Sequence, residues 1–174
     1  MAAIVFDGEG AVCLNENNVA KITSFVELAA YYDLPFVSFV NTAGVQSDLS
    51  TANSLVLKNI FKLMETYDLL ENAKISVVYK KAVGLGYTLF AAKSVGFDYV
   101  YAFANSHIAL FDNAQGAAIE FSGEKKADKA KLEAKYSEEN ADPINAAKNG
   151  YVDNIIEPQF VKQYLVASLQ MLLK

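Results

Sequence analysis

The sequence is poor in the residues from which side-chain catalytic sites are usually built. It has one cysteine, Cys13, so an internal disulfide is excluded and a reducing, cytoplasmic setting is the expectation. Cys13 could be a reactive thiol, but with no basic neighbour in sequence it reads better as a small buried strand residue. The one histidine is His107, which reads as a surface or edge residue. One histidine and one cysteine make no zinc cluster, so no metal is expected. No Gly-x-Ser-x-Gly elbow is present for a serine triad, and no GxGxxG or P-loop signature supports nucleotide binding. Asp7, Glu9, Asp48, Asp98, Asp112 and Asp153 are available carboxylates, but spacing sets none against another. There is no basic excess: the net charge of −5 argues against nucleic acid as a partner, though a local basic patch could serve one anionic ligand. No apolar run approaches the ~20 residues of a membrane span, and no signal-peptide pattern is read at the N-terminus.

What is present is a core. With 174 residues, 53% hydrophobic and 20% charged, the chain fits one globular domain. Short apolar runs at residues 2–6, 11–14, 36–40, 75–79, 99–103, 107–111 and 151–156 read as strands. Between them, residues 17–32 carry Val19, Ile22, Phe25, Val26 and Ala29 at helical spacing, with Asn17 or Asn18 as the cap. Residues 50–70 carry a second stripe: Leu49, Ala52, Val56, Ile60, Leu63, Met64 and Tyr67. A final helix from Pro158 presents Val161, Tyr164, Leu165, Ser168 and Leu172. Residues 116–121 and 143–150 read as short helices. Residues 124–140, rich in Lys, Glu and Ala, read as a solvated helix or flexible excursion, with an interaction arm as the other reading. Alternating strands and helices imply a largely parallel sheet covered by helices.

Ligands of such sheets bind beyond the carboxyl ends of the strands. Two ends are marked: Asn41-Thr42-Ala43-Gly44-Val45, which reads as a break after the strand 36–40, and Gly84-Leu85-Gly86 after the strand 75–79. The second is the stronger candidate. A strand that passes through glycines into a helix leaves amide N–H groups unpaired, and a ligand oxygen can approach them closely. Losing one such donor costs an acyl-transfer site about 3–4 kcal/mol of barrier. The competing explanation is that both glycines serve close helix–strand packing, and spacing alone leaves the two open.

The residues also carry a resemblance. The succession Leu34-Pro35-Phe36-Val37, Asn41-Thr42-Ala43-Gly44, Lys81-Ala82-Val83-Gly84-Leu85-Gly86-Tyr87, Asp98-Tyr99-Val100-Tyr101-Ala102-Phe103, Ala109-Leu110-Phe111 and Gly116-Ala117-Ala118-Ile119 spans most of the chain. It continues through Pro143 and Ala146-Ala147 and closes with Gly150-Tyr151-Val152-Asp153-Asn154-Ile155-Ile156-Glu157-Pro158. It resembles the C-terminal half of the carboxyltransferase component of biotin-dependent acyl-CoA carboxylases and decarboxylases. The resemblance implies an α/β crotonase-like spiral of ββα units across residues 1–174, with a polar excursion at about 124–140.

It implies a chemistry as well. The Leu85 and Gly86 amides would form an oxyanion hole for the biotin ureido oxygen, with Gly84, Asn41 and Gly44 completing the cofactor site. Biotin would arrive on a separate carrier protein. An N-terminal-half carboxyltransferase subunit would bind the acyl-CoA, and the assembly would be a homo-oligomer, trimer or hexamer, with the helix 50–70 and the C-terminal helix as contacts. The family's Asp-x-Pro-Gly-Phe loop stands here as Asn41-Thr42-Ala43-Gly44-Val45, and Leu85 stands where the turn has its second glycine. Those departures keep a second reading open, a degenerate homologue with a structural or assembly role. A free-standing crotonase-type hydratase or isomerase is a third, but it would need glutamates near the turn, and none is there.

Overall fold

The computed structural model describes residues 1–8, 10–46, 55–123 and 128–173. Among them the chain forms β1 (Ala2–Val5), β2 (Val12–Leu14), α1 (Glu16–Tyr31), β3 (Phe36–Val45), α2 (Val56–Leu69), β4 (Lys74–Val83) and α3 (Leu85–Ala91). Then follow β5 (Tyr99–Phe103), β6 (His107–Ala109), α4 (Asn113–Glu120), α5 (Lys129–Asn140), α6 (Pro143–Lys148), β7 (Asn154–Ile156) and α7 (Val161–Leu172). Every strand pairing is parallel, as the strand–helix alternation requires.

The two central strands correct the sequence reading. Asn41–Gly44 does not break β3, and β4 does not stop at Tyr79; both run on for four or five further residues. Their first halves pair with β1 and β5, with β7 beyond β5, while their second halves pair with β2 and β6. The chain is therefore a succession of ββα units. In the first and fourth, a turn separates the two strands (β1–β2 with α1, β5–β6 with α4). In the middle two, the pair is fused into one ten-residue strand followed by α2 or α3.

A register shift marks the junction. Val40 lies opposite Val78 and Thr42 opposite Ala82, so Asn41 alone on β3 spans the place where β4 has Tyr79, Lys80 and Lys81. The surplus residues on β4 bow out of the ladder, as in a β-bulge.

Period-two alternation divides the core. Phe36, Val40, Val78, Val100 and Ala102 face α1, α2 and α3, whose buried stripe includes Val19, Val26, Val56, Ile60, Leu63, Tyr67, Leu89 and Phe90. Val37, Ile75, Val77, Tyr101 and Ile156 face the other way, onto Leu165 and the half-buried Val161 and Tyr164 of α7. The expected helix stripes are the ones that pack, although Leu49 and Ala52 lie outside the described residues. Cys13 is exposed rather than buried, since on the short β2 it faces away from Leu14, which is fully buried.

Helix ends follow local chemistry. The cap of α1 is Asn15, earlier than the spacing indicated, in a reciprocal box with Asn18: each carboxamide accepts the other's backbone amide, at 3.1 and 2.7 Å. The C-terminus of α2 is closed by buried Lys74, whose ammonium donates to the carbonyls of Leu70 at 2.6 Å and Tyr67 at 3.4 Å. Burial holds the Lys74 pKa below its ordinary value, against Asp98 and Asp68, which raise it.

Of the polar 124–140 stretch, residues 124–127 lie outside the described residues, and the remainder forms α5, a solvated helix with one buried side chain, Tyr136. That ring lies over Gly116 of α4, where an added Cβ would come within 2.0 Å of it. A Gly116→Ala substitution is therefore expected to displace α5 while the sheet stays folded. Denaturant unfolding should show a loss of about 1–3 kcal/mol, and limited proteolysis should show earlier cleavage within residues 129–140.

Candidate functional site

The glycine turn stands where the sequence placed it, at the carboxyl end of β4. Gly84 has φ +53° and ψ −128°, a conformation costly to any residue with a Cβ, and a Cβ there would also meet the Leu110 carbonyl at 3.1 Å. Its amide is used by the sheet, donating to the Ala109 carbonyl at 2.9 Å. The amides of Leu85, Gly86 and Tyr87 follow in the first turn of α3, where no helix carbonyl precedes them to accept a bond.

The two marked strand ends meet here. A Cβ on Gly86 would lie 2.4 Å from Thr42 Cγ2, and one on Gly44, which has φ +96°, would lie 3.1 Å from the Val83 carbonyl. Thr42 itself is fixed: its hydroxyl donates to the Val12 carbonyl at 2.7 Å and accepts the Gly44 amide at 3.1 Å. Close packing is thus a real requirement at Gly86 and Gly44, whatever else the turn does. Asn41 is not brought to the turn. It is buried at the bend of β3, with its carboxamide donating to the Gly10 carbonyl at 3.2 Å, and it lines a different hollow.

A cleft of about 700 Å³ opens beside the turn. Gly84, Tyr87 and Thr88 line it on the side of the turn, Ile108, Ala109 and Leu110 line it from β6 onward, and Glu139, Asn145, Asn149, Gly150 and Tyr151 make up the far wall. Leu85 is 42% exposed and is not part of the lining, while Gly86 is buried against Thr42. The far wall was not identified as part of the site from sequence, although Gly150-Tyr151 lies in a run that stood out. Its approach depends on contacts distant in sequence. The Tyr87 hydroxyl donates to the Tyr151 carbonyl at 2.7 Å, and the two rings meet edge to face.

The titratable groups lining the cleft are Glu139, Lys93 and the phenols of Tyr87 and Tyr151. Burial, with Tyr151 and Asp153 nearby, pushes the Tyr87 phenol up to about 12, so it stays neutral. Lys93 is paired with Asp153, whose other oxygen accepts the Val100 amide at 2.8 Å. The carboxamides of Asn145 and Asn149 donate to the carbonyls of Glu139 and Asn145 at 3.1 and 3.0 Å. Among the described residues, no group of three or more His, Cys, Asp or Glu could hold a metal ion, and no helix is long and apolar enough to cross a membrane. His107 lies on β6 with its Nε2 buried, away from this cleft.

The Thr42–Gly86 contact is directly testable. Gly86→Ala should destabilise the fold by about 1–3 kcal/mol, and Thr42→Ser, which removes the obstructing methyl but keeps the hydroxyl, should recover part of that loss. A double-mutant cycle on urea unfolding checks it, and strict additivity would show that the two residues do not touch.

The likeness to known proteins is consistent along the chain. The methylmalonyl-CoA decarboxylase subunit alpha of Veillonella parvula is 33% identical over 162 residues, covering 93% of this chain and 31% of its own length. The carboxyltransferase subunit of propionyl-CoA carboxylase from Haloferax mediterranei is 30% identical, covering 87% of this chain and 31% of its own. The chain thus spans about a third of the length of these relatives. In the crystal structure of the transcarboxylase 12S hexamer, with methylmalonyl-coenzyme A and methylmalonic acid bound, a region 27% identical superposes with a TM-score of 0.84, covering 91% of this chain and 32% of that one. The carboxyl transferase domain family matches residues 7–174. The ββα succession is accordingly the crotonase-like α/β fold of these enzymes, and the chain belongs to the carboxyl transferase domain family.

Proposed function

We propose that this chain forms the biotin side of an acyl-CoA carboxyltransferase site. It would work with an N-terminal-half carboxyltransferase unit that binds the acyl-CoA and with a biotin carrier protein. The observation that carries the reading is the Gly84–Gly86 turn: a strained glycine at a strand end, followed by first-turn amides, beside a cleft without an unpaired lysine.

The donor set suits biotin. A neutral bicyclic ligand needs apolar walls, which Tyr87, Ile108, Leu110 and Tyr151 supply, and it needs no counter-ion. When bound, biotin supplies a ureido nitrogen that carries the transferable carboxyl group and a ureido oxygen that takes up charge as the group leaves. The Leu85 and Gly86 amides, in the first turn of α3 beside the cleft, would donate to that oxygen. Their orientation is set before binding by Gly84 and by the Thr42–Gly86 contact, so little reorganisation is needed. Gly44 holds the turn from the side of β3, through its approach to the Val83 carbonyl. Asn41 acts one step away, by fixing the bend against Gly10. The side chain of Leu85 stands outside the cleft lining, so replacing a glycine at this position retains the amide without filling the site. The hexamer assembly of transcarboxylase 12S supports a homo-oligomer, trimer or hexamer, as the working state.

The second reading, a structural or assembly subunit with a degenerate site, has an observation of its own. No imidazole lines the cleft, and Glu139 is its one carboxylate among the described residues, so most of the chemistry would rest on amides and on the partner.

Binding and catalysis separate the two readings. Titrating the chain with biocytin should produce saturable shifts of the Leu85 and Gly86 amide resonances, and unmoved resonances at millimolar ligand would favour the assembly role. Leu85→Pro deletes one donor at the first helical position, where proline is tolerated. In an assay of malonyl- or methylmalonyl-CoA decarboxylation with the N-half partner and free biotin, it should lower kcat by about 10²–10³-fold. Leu85→Ala, which keeps the amide, should leave the rate near that of the wild type.

A further inference from the structure

The bend in the two central strands makes a second hollow that the proposed carboxyl-transfer site does not use. It has a volume of about 250 Å³ and is lined by Gly10, Ala11, Asn41, Lys80, Lys81, Asn105 and His107. Adjacent residues of a regular strand point to opposite faces. Lys80 and Lys81 nonetheless share this hollow, because they lie among the three β4 residues spanned by Asn41 alone, where the ladder bows out. The other lining groups come from the corresponding junctions of the neighbouring units: Gly10 and Ala11 from the β1–β2 turn, Asn105 and His107 from the β5–β6 turn and the start of β6.

The chemistry of the lining is one-sided. Among the described residues no carboxylate lines the hollow. Lys81 is paired with Asp112 at 2.9 Å, whereas among the described residues the exposed Lys80 has no ion pair and its ammonium lies over the Tyr79 ring, 5.9 Å from the centroid. His107 Nε2 is buried and lacks a hydrogen-bond partner, an expense that proteins seldom leave uncompensated. Lys80 and Lys81 line the same hollow and Asp112 pairs with only one of them, which leaves a positive surplus suited to an anion.

We propose that this hollow is a binding site for a small oxyanion, a carboxylate or a phosphoryl group, held by Lys80 and Lys81 beside the His107 imidazole. Asn105 stands beside these three as a further donor. The site would take either a free ion or the terminal group of a larger molecule. It rests on the bend and not on the biotin reading, so each can fail alone.

The chain's single histidine makes its imidazole resonance a direct reporter of this site. The groups facing it are Lys80 and Lys81 from β4 and Asp112 from the turn before α4. Burial and then Lys81 hold the His107 pKa below its ordinary value, with Asp112 opposing them. An anion bound beside the imidazole, acting as Asp112 does, should therefore raise that pKa.

The test titrates the full chain at constant ionic strength with inorganic phosphate and, separately, with acetate. The His107 signal is followed against a chloride control. Saturable movement, an upward shift of its titration midpoint, and at least tenfold weaker binding in Lys80→Gln are expected. Asn105→Asp, which puts a carboxylate into the hollow, should weaken binding similarly, and Lys62→Gln, whose partner Glu27 is distant from the hollow, should not. Tighter binding of phosphate than of acetate assigns a phosphoryl ligand, and the reverse assigns a carboxylate. Linear drift equal to that in chloride, or saturable binding that both the Lys80 and Asn105 variants leave unchanged, would overturn the proposal.

Discussion

The space between Thr42 and Gly86 is too small for a methyl group, and the rest of the site depends on that contact. Thr42 is held from two sides, by the Val12 carbonyl and by the Gly44 amide, so it cannot withdraw. With Thr42 fixed, α3 can begin only where a glycine lets its first turn come down onto β3. That requirement sets the height of the helix above the sheet, and with it the level of the first-turn amides. The packing and ligand-binding explanations of the glycines are therefore not rivals. The close approach is what presents the amides rigidly, and rigid presentation is what gives an oxyanion site its effect.

The same sheet carries a second consequence of imperfect matching. If β3 and β4 were of equal length between Val40–Val78 and Thr42–Ala82, the ladder would continue flat, with Lys80 and Lys81 on opposite faces. The two extra residues on β4 turn the ladder so that its second half pairs with β2 and β6. Register thus does two jobs. It distributes each ββα unit between two neighbours, and it collects polar side chains at the bend, in a region whose surroundings are apolar.

Much of this was legible in the sequence, because it depends on local chemistry. The helix stripes from Val19 to Ala29 and from Val56 to Tyr67 pack as their spacing indicates. The glycine turn lies at a strand end beside a cleft. Other features were not legible, because their causes are distant in sequence. Asn41–Gly44 contains turn-forming residue types and reads as a break, yet it stays in the sheet, since β2 and β4 supply ladder partners on both sides of Thr42. No spacing rule singles out Lys74, yet the carbonyls at the end of α2 accept its ammonium in a buried place. The far wall of the cleft is brought in by Tyr87 reaching the Tyr151 carbonyl, 64 residues away, and no spacing rule encodes that.

Scarcity of reactive side chains ceases to be a puzzle in this arrangement. In the proposed site, an imidazole or carboxylate at the turn itself would have to be desolvated, and its protonation would then compete with the charge developing on a bound ligand. Backbone amides carry a fixed dipole, do not titrate, and need only be aimed. The chain's main investment is accordingly in aim: a glycine at φ +53°, a second glycine pressed on Thr42, and a third pressed on the Val83 carbonyl. Because those three constraints involve β3, β4 and the start of α3 together, the turn cannot shift without disturbing the central pair of strands. The stability of the fold and the geometry of the site are thus maintained by the same contacts.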